Sequence, residues 1–127
     1  MNRNLVLSSV PLGSEAFAIA EDFINIDKSI LYIARDDREI FNIKLKLKWL
    51  IPKSEILIYR SWDQIPYDNV SPSKEIQSER IKTLYNLSNN NKKLIITSVN
   101  AIIQKTINKE FLNTNFIFSE EKKRGYI

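Results

Sequence analysis

Ser29-Ile30-Leu31-Tyr32-Ile33-Ala34, followed at once by Arg35-Asp36-Asp37-Arg38-Glu39-Ile40, decides how the chain is read. The first six residues form an apolar run of strand length, too short for a buried helix. Being almost continuous in large apolar residues, it matches a strand covered on both faces, as in a parallel sheet. Directly after it, Asp36 or Asp37 can cap a helix running through Ile40, Ile43, Leu47 and Leu50. That helix ends before Pro52, because the ring of a proline disfavours helical backbone in the residue ahead of it.

The same alternation extends in both directions. Leu5-Val6-Leu7 begins an earlier apolar run. Glu55-Ile56-Leu57-Ile58-Tyr59, Lys93-Leu94-Ile95-Ile96-Thr97-Ser98 and Asn115-Phe116-Ile117-Phe118 follow later. Between them lie further helical patterns. Ser14 can cap a helix to about Ile26, with Phe17, Ala20 and Ile24 on one side. Ser71 or Ser73 can cap another reaching about Leu87, with Ile76, Ile81, Leu84 and Leu87 facing in. Val99 to about Ile107 makes a fourth helix, and Asn108–Leu112 one more turn. Strands alternating with helices predict an α/β fold: a three-layer parallel sheet flanked by helices, joined by right-handed crossovers. Ligand sites in such sheets lie at the carboxyl ends of the strands.

The 127 residues fit one domain, and 43% hydrophobic content is enough for a core. With no cysteine and no histidine, disulfides, Cys/His zinc sites and Ser-His-Asp or Cys-His catalysis are excluded within the chain. No signal peptide and no membrane-length apolar stretch is present. The reading is a soluble cytoplasmic protein with no membrane partner. The net charge of +4 permits a polyanionic partner, and it equally serves solubility in a chain rich in Ile, Asn and Lys.

Val10-Pro11-Leu12-Gly13-Ser14-Glu15-Ala16-Phe17 stands where a phosphate-binding loop would, after an apolar run and at the start of a helix. Such a loop, GxxxxGK[ST], needs glycines for close backbone approach, a lysine for the outer phosphates and a hydroxyl for magnesium. Here Val10 stands at the first glycine, Glu15 at the second, Ala16 at the lysine and Phe17 at the hydroxyl. Glu15 would add a negative charge beside a polyphosphate. The turn is either a phosphate loop that has degenerated at Gly13, Ser14, Glu15, Ala16 and Phe17, or a plain turn with Gly13 flexible and Ser14 as cap. On both readings tight ATP binding is not expected, and no cofactor is expected.

Arg60-Ser61-Trp62-Asp63-Gln64-Ile65-Pro66-Tyr67-Asp68-Asn69-Val70-Ser71-Pro72-Ser73 is the most distinctive stretch. Trp62, Ile65 and Tyr67 can fold over the sheet end as a satellite core. Alternatively, Trp62 and Tyr67 stack on a base or seat against a partner. Asp63 and Asp68 invite an acid–base reading, but no histidine or metal motif accompanies them. Arg60, Lys74 and Arg80 are candidate phosphate contacts, with Lys44, Lys46 and Lys48 on the second helix. Those three lysines alternate at spacing two and cannot share one helical face.

Leu12-Gly13-Ser14, Trp62-Asp63-x-x-Pro66-Tyr67-Asp68, Ser71-Pro72, Ser78-Glu79-Arg80-Ile81-x-x-Leu84 and Ile96-Thr97-Ser98-Val99-x-Ala101-Ile102-Ile103-Gln104, in this order, resemble the N-terminal domain of the bacterial transcription-repair coupling factors, the Mfd family. The resemblance covers about residues 5–112. It implies a RecA-like, UvrB-like domain, residues 1–118, with a decayed phosphate loop. The charged tail 119–127 is then a truncation or the start of the next domain, although Phe116-Ile117-Phe118 does not resemble that start. The resemblance further implies that the ATP-driven DNA translocase lies elsewhere in the parent protein. This domain would be a non-catalytic scaffold, packing against other domains of the parent. UvrA would be met mainly through the following domain, and RNA polymerase and DNA through the whole protein. The enzyme-class alternative is the nucleotide- or DNA-binding half of a UvrB-type helicase.

Overall fold

The computed structural model describes residues 6–62 and 73–111. Helix α1 (Glu15–Asn25) is followed by β1 (Ile30–Ala34), α2 (Asp37–Leu50), β2 (Ile56–Tyr59), α3 (Lys74–Leu87), β3 (Leu94–Ser98) and α4 (Val99–Ile103). The three strands form one parallel sheet in the order β1-β3-β2. Ile30, Leu94 and Ile56 lie side by side at its start.

Strand alternation assigns the faces. Ile30, Tyr32, Ala34, Leu94, Ile96, Ile56 and Ile58 point to the layer of α1 and α2. There they pack with Ala16, Ile19, Ala20, Phe23, Ile40, Ile43 and Leu47 in the main core. Helix α3 lies against β2 on the other face, where the Thr83 hydroxyl donates to the Ile58 carbonyl at 2.6 Å. The expected small α/β architecture is present, with its three described strands in the expected places.

Five expectations fail in detail. Val6 and Leu7 form no strand: they are exposed, and Ser9 takes a left-handed φ of 58°, which breaks extended backbone. Helix α1 is rotated from the predicted face, so that Phe17 and Ile24 point to solvent. The set Ala16, Ile19, Ala20 and Phe23 gives a fuller i, i+3, i+4, i+7 stripe, and its alanines allow close approach to α2. In α3 the buried residues are Ile76, Arg80 and Thr83, while Leu87 is exposed. Helix α4 ends at Ile103, with Gln104 extended, and residues 109–111 return to helical form. The strands are also not covered throughout: Leu31 and Ile33 of β1 are about half exposed. The run 115–118 and the tail 119–127 lie outside the described residues.

Asp36, not Asp37, caps α2, its carboxylate accepting from the Glu39 amide at 2.9 Å. Ser73 caps α3 through the Ile76 amide. Ser14 occupies the cap position of α1 but makes no side-chain cap bond.

Candidate functional site

The carboxyl ends of all three strands are joined by a single side chain. Because Asp36 takes the capping role, the Asp37 carboxylate is free to turn towards the sheet. One oxygen accepts from the Ser98 hydroxyl at the end of β3, at 2.8 Å. The other accepts from the Ser61 hydroxyl just past β2, at 2.8 Å, and from the Ser61 amide at 3.3 Å. Ser98 is fully buried, and its hydroxyl oxygen also accepts the Ala101 amide at the start of α4. Asp37, Ser61 and Ser98 thus occupy the crevice where a ligand would enter a sheet of this kind.

Beside them stands Arg80, only 2% exposed. Its guanidinium lies between the rings of Tyr59 and Trp62, 4.1 and 4.2 Å from their centroids. It donates to the Tyr59 hydroxyl at 2.6 Å and the Arg60 carbonyl at 2.7 Å. Longer bonds reach Gln104 Oε1 and the Lys105 carbonyl, both at 3.4 Å. Gln104 Oε1 also accepts the Trp62 amide at 2.7 Å. Burial lowers the Arg80 pKa, opposed by Tyr59 and by the charge of Asp37. Burial also raises the Tyr59 pKa, opposed by Arg80. A cation enclosed by two π faces and several oxygens is fully used within the protein.

Arg80, a candidate phosphate contact in the sequence, is buried here with its donors turned to the Tyr59 hydroxyl and the Arg60 carbonyl. Arg60 and Trp62 do join it, but as parts of the same cluster. The Arg60 guanidinium bonds Glu79 at 3.3 Å and lies over the Phe41 ring. Arg60 also lines a cleft of about 350 Å³ beside β2, with Phe41, Lys44, Glu55, Glu79 and Lys82. Tyr67, Asp63, Asp68 and Ile65 lie outside the described residues. Lys74 is exposed at the start of α3. Lys46 reaches the Gly13 carbonyl at 3.1 Å, whereas Lys44 and Lys48 stand one turn apart on a different side of α2. Asp37, Ser98 and Gln104 had no role in the sequence reading beyond a cap and matched positions. The signal for them was the doubled Asp36-Asp37, one acid more than a cap needs.

The Gly13 turn is closed by the protein itself. Gly13 has φ +91°, and its amide donates to Glu15 Oε2 at 2.9 Å. The Ser14 hydroxyl and amide both donate to the Pro11 carbonyl, at 2.6 and 3.0 Å. Ala16, at the lysine position of a phosphate loop, is fully buried, while Phe17 is exposed. The Glu15 carboxylate therefore stands where an anion would seek the Gly13 amide. Among the described residues no group of three or more acid, cysteine or histidine side chains could hold a metal. Nor is any described helix long and apolar enough to cross a membrane.

Glu15 also acts on Tyr32, whose hydroxyl donates to Glu39 Oε1 at 3.1 Å. Burial, then Glu39 and Glu15, push the Tyr32 pKa from 10.0 up to about 12. The unfolded chain therefore loses this proton first, and the folded chain keeps it. Tyr32's contribution to stability is complete below pH 10 and is lost as the pH rises towards 12. Urea midpoints measured across that range should fall less steeply for Tyr32→Phe than for the parent. Parallel curves would refute the coupling.

Taken together, the chain is a small parallel-sheet α/β domain whose strand-end crevice is occupied by its own side chains. No family model matches it. It is similar to the bacterial transcription-repair coupling factors. The factor of Haemophilus influenzae is 24% identical over 123 residues, 97% of this chain and 11% of that protein. The factor of Rickettsia bellii is 29% identical over 103 residues, 80% of this chain and 9% of that protein. The factor of Escherichia coli is 32% identical over 63 residues, 50% of this chain and 6% of its own length. The chain thus spans about a tenth of the length of the curated relatives it matches.

Proposed function

We propose that the chain is a non-catalytic, UvrB-like module of a transcription-repair coupling factor, acting as scaffold and interface in transcription-coupled excision repair in the cytoplasm. On this reading the RecA-like plan is kept and the phosphate loop is degenerate. Translocation on DNA belongs to other parts of the parent protein. RNA polymerase, DNA and UvrA are partners of that whole, with UvrA met chiefly by the neighbouring domain.

The observation that carries this reading is the Gly13–Glu15 bond beside the buried Ala16. A polyphosphate at this turn would have to displace a carboxylate from the amide it needs, with no lysine to offset the charge. Calorimetric titration of the intact chain with Mg-ATP should give no measurable heat of binding up to millimolar nucleotide. Measurable binding by the intact chain, weakened by Ser14→Ala and strengthened when Glu15→Ala frees the Gly13 amide, would overturn the reading and favour the helicase alternative.

A further inference from the structure

Helix α2 carries two apolar stripes, and among the described residues only one of them is packed into the core. Ile40, Ile43 and Leu47 are buried against the sheet. On the outer side Phe41, Leu45 and Trp49 follow one another at successive turns, 47%, 63% and 83% exposed. Spacing of i, i+4, i+8 aligns them in a row about 12 Å long. Exposed apolar side chains scattered singly need no explanation, but a contiguous row ending in an open tryptophan marks a contact surface.

The charge around the row is one-sided. Arg38 and Lys48 are exposed beside it, and Lys44 is half-buried at its margin. The two acids of α2 are both engaged elsewhere: Asp37 holds Ser61 and Ser98, and Glu39 accepts from Tyr32 and from the Arg35 amide. In the neighbouring cleft Glu79 is engaged by Arg60, leaving Glu55 as the acid near Lys44.

We propose that the outer face of α2 docks an acidic amphipathic helix of a partner protein. This deepens the interface role proposed above by giving it a surface and a partner chemistry. An apolar row rimmed by cations is complementary to a helix with leucine-like anchors and flanking carboxylates. A second copy of this chain would bring Lys44 and Lys48 against their own kind. A nucleic acid strand would find an aliphatic side chain, Leu45, in the middle of the row, where a stacking platform needs a ring.

The test uses the intact chain and two labelled synthetic helical peptides with the same leucine stripe, one flanked by glutamates and one by lysines. Fluorescence anisotropy should show binding of the glutamate peptide and shift the emission of Trp49. Trp49→Phe assigns that emission signal. Leu45→Asp, a change at an exposed position, should weaken binding by about tenfold or more. Lys44→Glu with Lys48→Glu should transfer the preference to the lysine peptide. Circular dichroism melts of each variant check that it folds. No binding, or equal affinity for both peptides, would overturn the proposal. So would self-association abolished by Leu45→Asp, or preferential binding of oligothymidylate to this face. None of these outcomes alters the Mg-ATP titration, so failure of this surface is distinguishable from failure of the non-catalytic reading.

Discussion

Arg80→Ala is expected to destabilise the domain by roughly 3 kcal/mol, the largest loss for any charged side chain described here. The substitution removes a guanidinium held between two aromatic rings. It leaves the Tyr59 hydroxyl and the Arg60 carbonyl, within a closed site, without their donor. Losing a buried charge recovers some desolvation cost, which is why the figure is not higher. For a domain of this size the melting temperature should drop by about 10 °C. Arg80→Lys should recover only part of the loss, because an ammonium cannot span two acceptors and stack as a planar fork does. Arg35→Ala is the control: that side chain is 85% exposed and its ion pair with Asp36 is a surface one, so the change should stay within about 0.5 kcal/mol. Calorimetric melts of the three variants decide the matter. An Arg80→Ala protein as stable as the Arg35→Ala one would show that the cluster contributes nothing.

Asp37→Ala should cost about 2–3 kcal/mol, because three donors lose a charged acceptor together. The Ser98 hydroxyl is the most affected, since it is enclosed and has no water to turn to. Asp37→Asn keeps one acceptor oxygen and should fall between the two. Hydrogen exchange should locate the damage: the amides of Ser61 and Ala101 should exchange faster, and those of Leu94 and Ile95 at the other end of β3 should not. Uniform loosening would argue that Asp37 serves the whole domain and not the strand ends. The charge of Asp37 acts on Arg80. The double variant should therefore lose a different amount from the sum of the single ones.

The parts of this fold that were legible are those governed by short-range rules. β1, β2 and β3 are apolar runs of strand length, and α2 has a cap, a buried stripe and a proline stop. Helix α1 is legible but only Ala20 of its expected face is buried, because Phe17 and Ile24 are larger than Ala16 and dominate a reading by size. What decided the face was the close approach of α1 to α2, a tertiary fact. Val6-Leu7 reads as part of a strand because apolar content is read without a partner to pair with. The burial of Arg80 is illegible for the same kind of reason. An arginine between Glu79 and Ile81 reads as solvated, and its burial depends on Tyr59 and Trp62, which the sequence places about 20 residues away. Asp37 escaped notice because either of two adjacent acids could have served as the cap, and only the backbone at Asp36 settles which one does.

The buried Ala16 bears on the history open to this chain. A lysine at that position would drive a long cation into the contact between α1 and α2, where no space exists. Removing Glu15 would free the Gly13 amide, but it would not create that space. At Gly13 itself the φ of +91° would strain any residue with a side chain, while Lys46, at the surface, can move aside. Gaining a nucleotide site here would require α1 to shift against α2 as well as new side chains. Side chains in the exposed row of α2 meet no such packing constraint, so they can be exchanged with far less cost to the fold than residue 16.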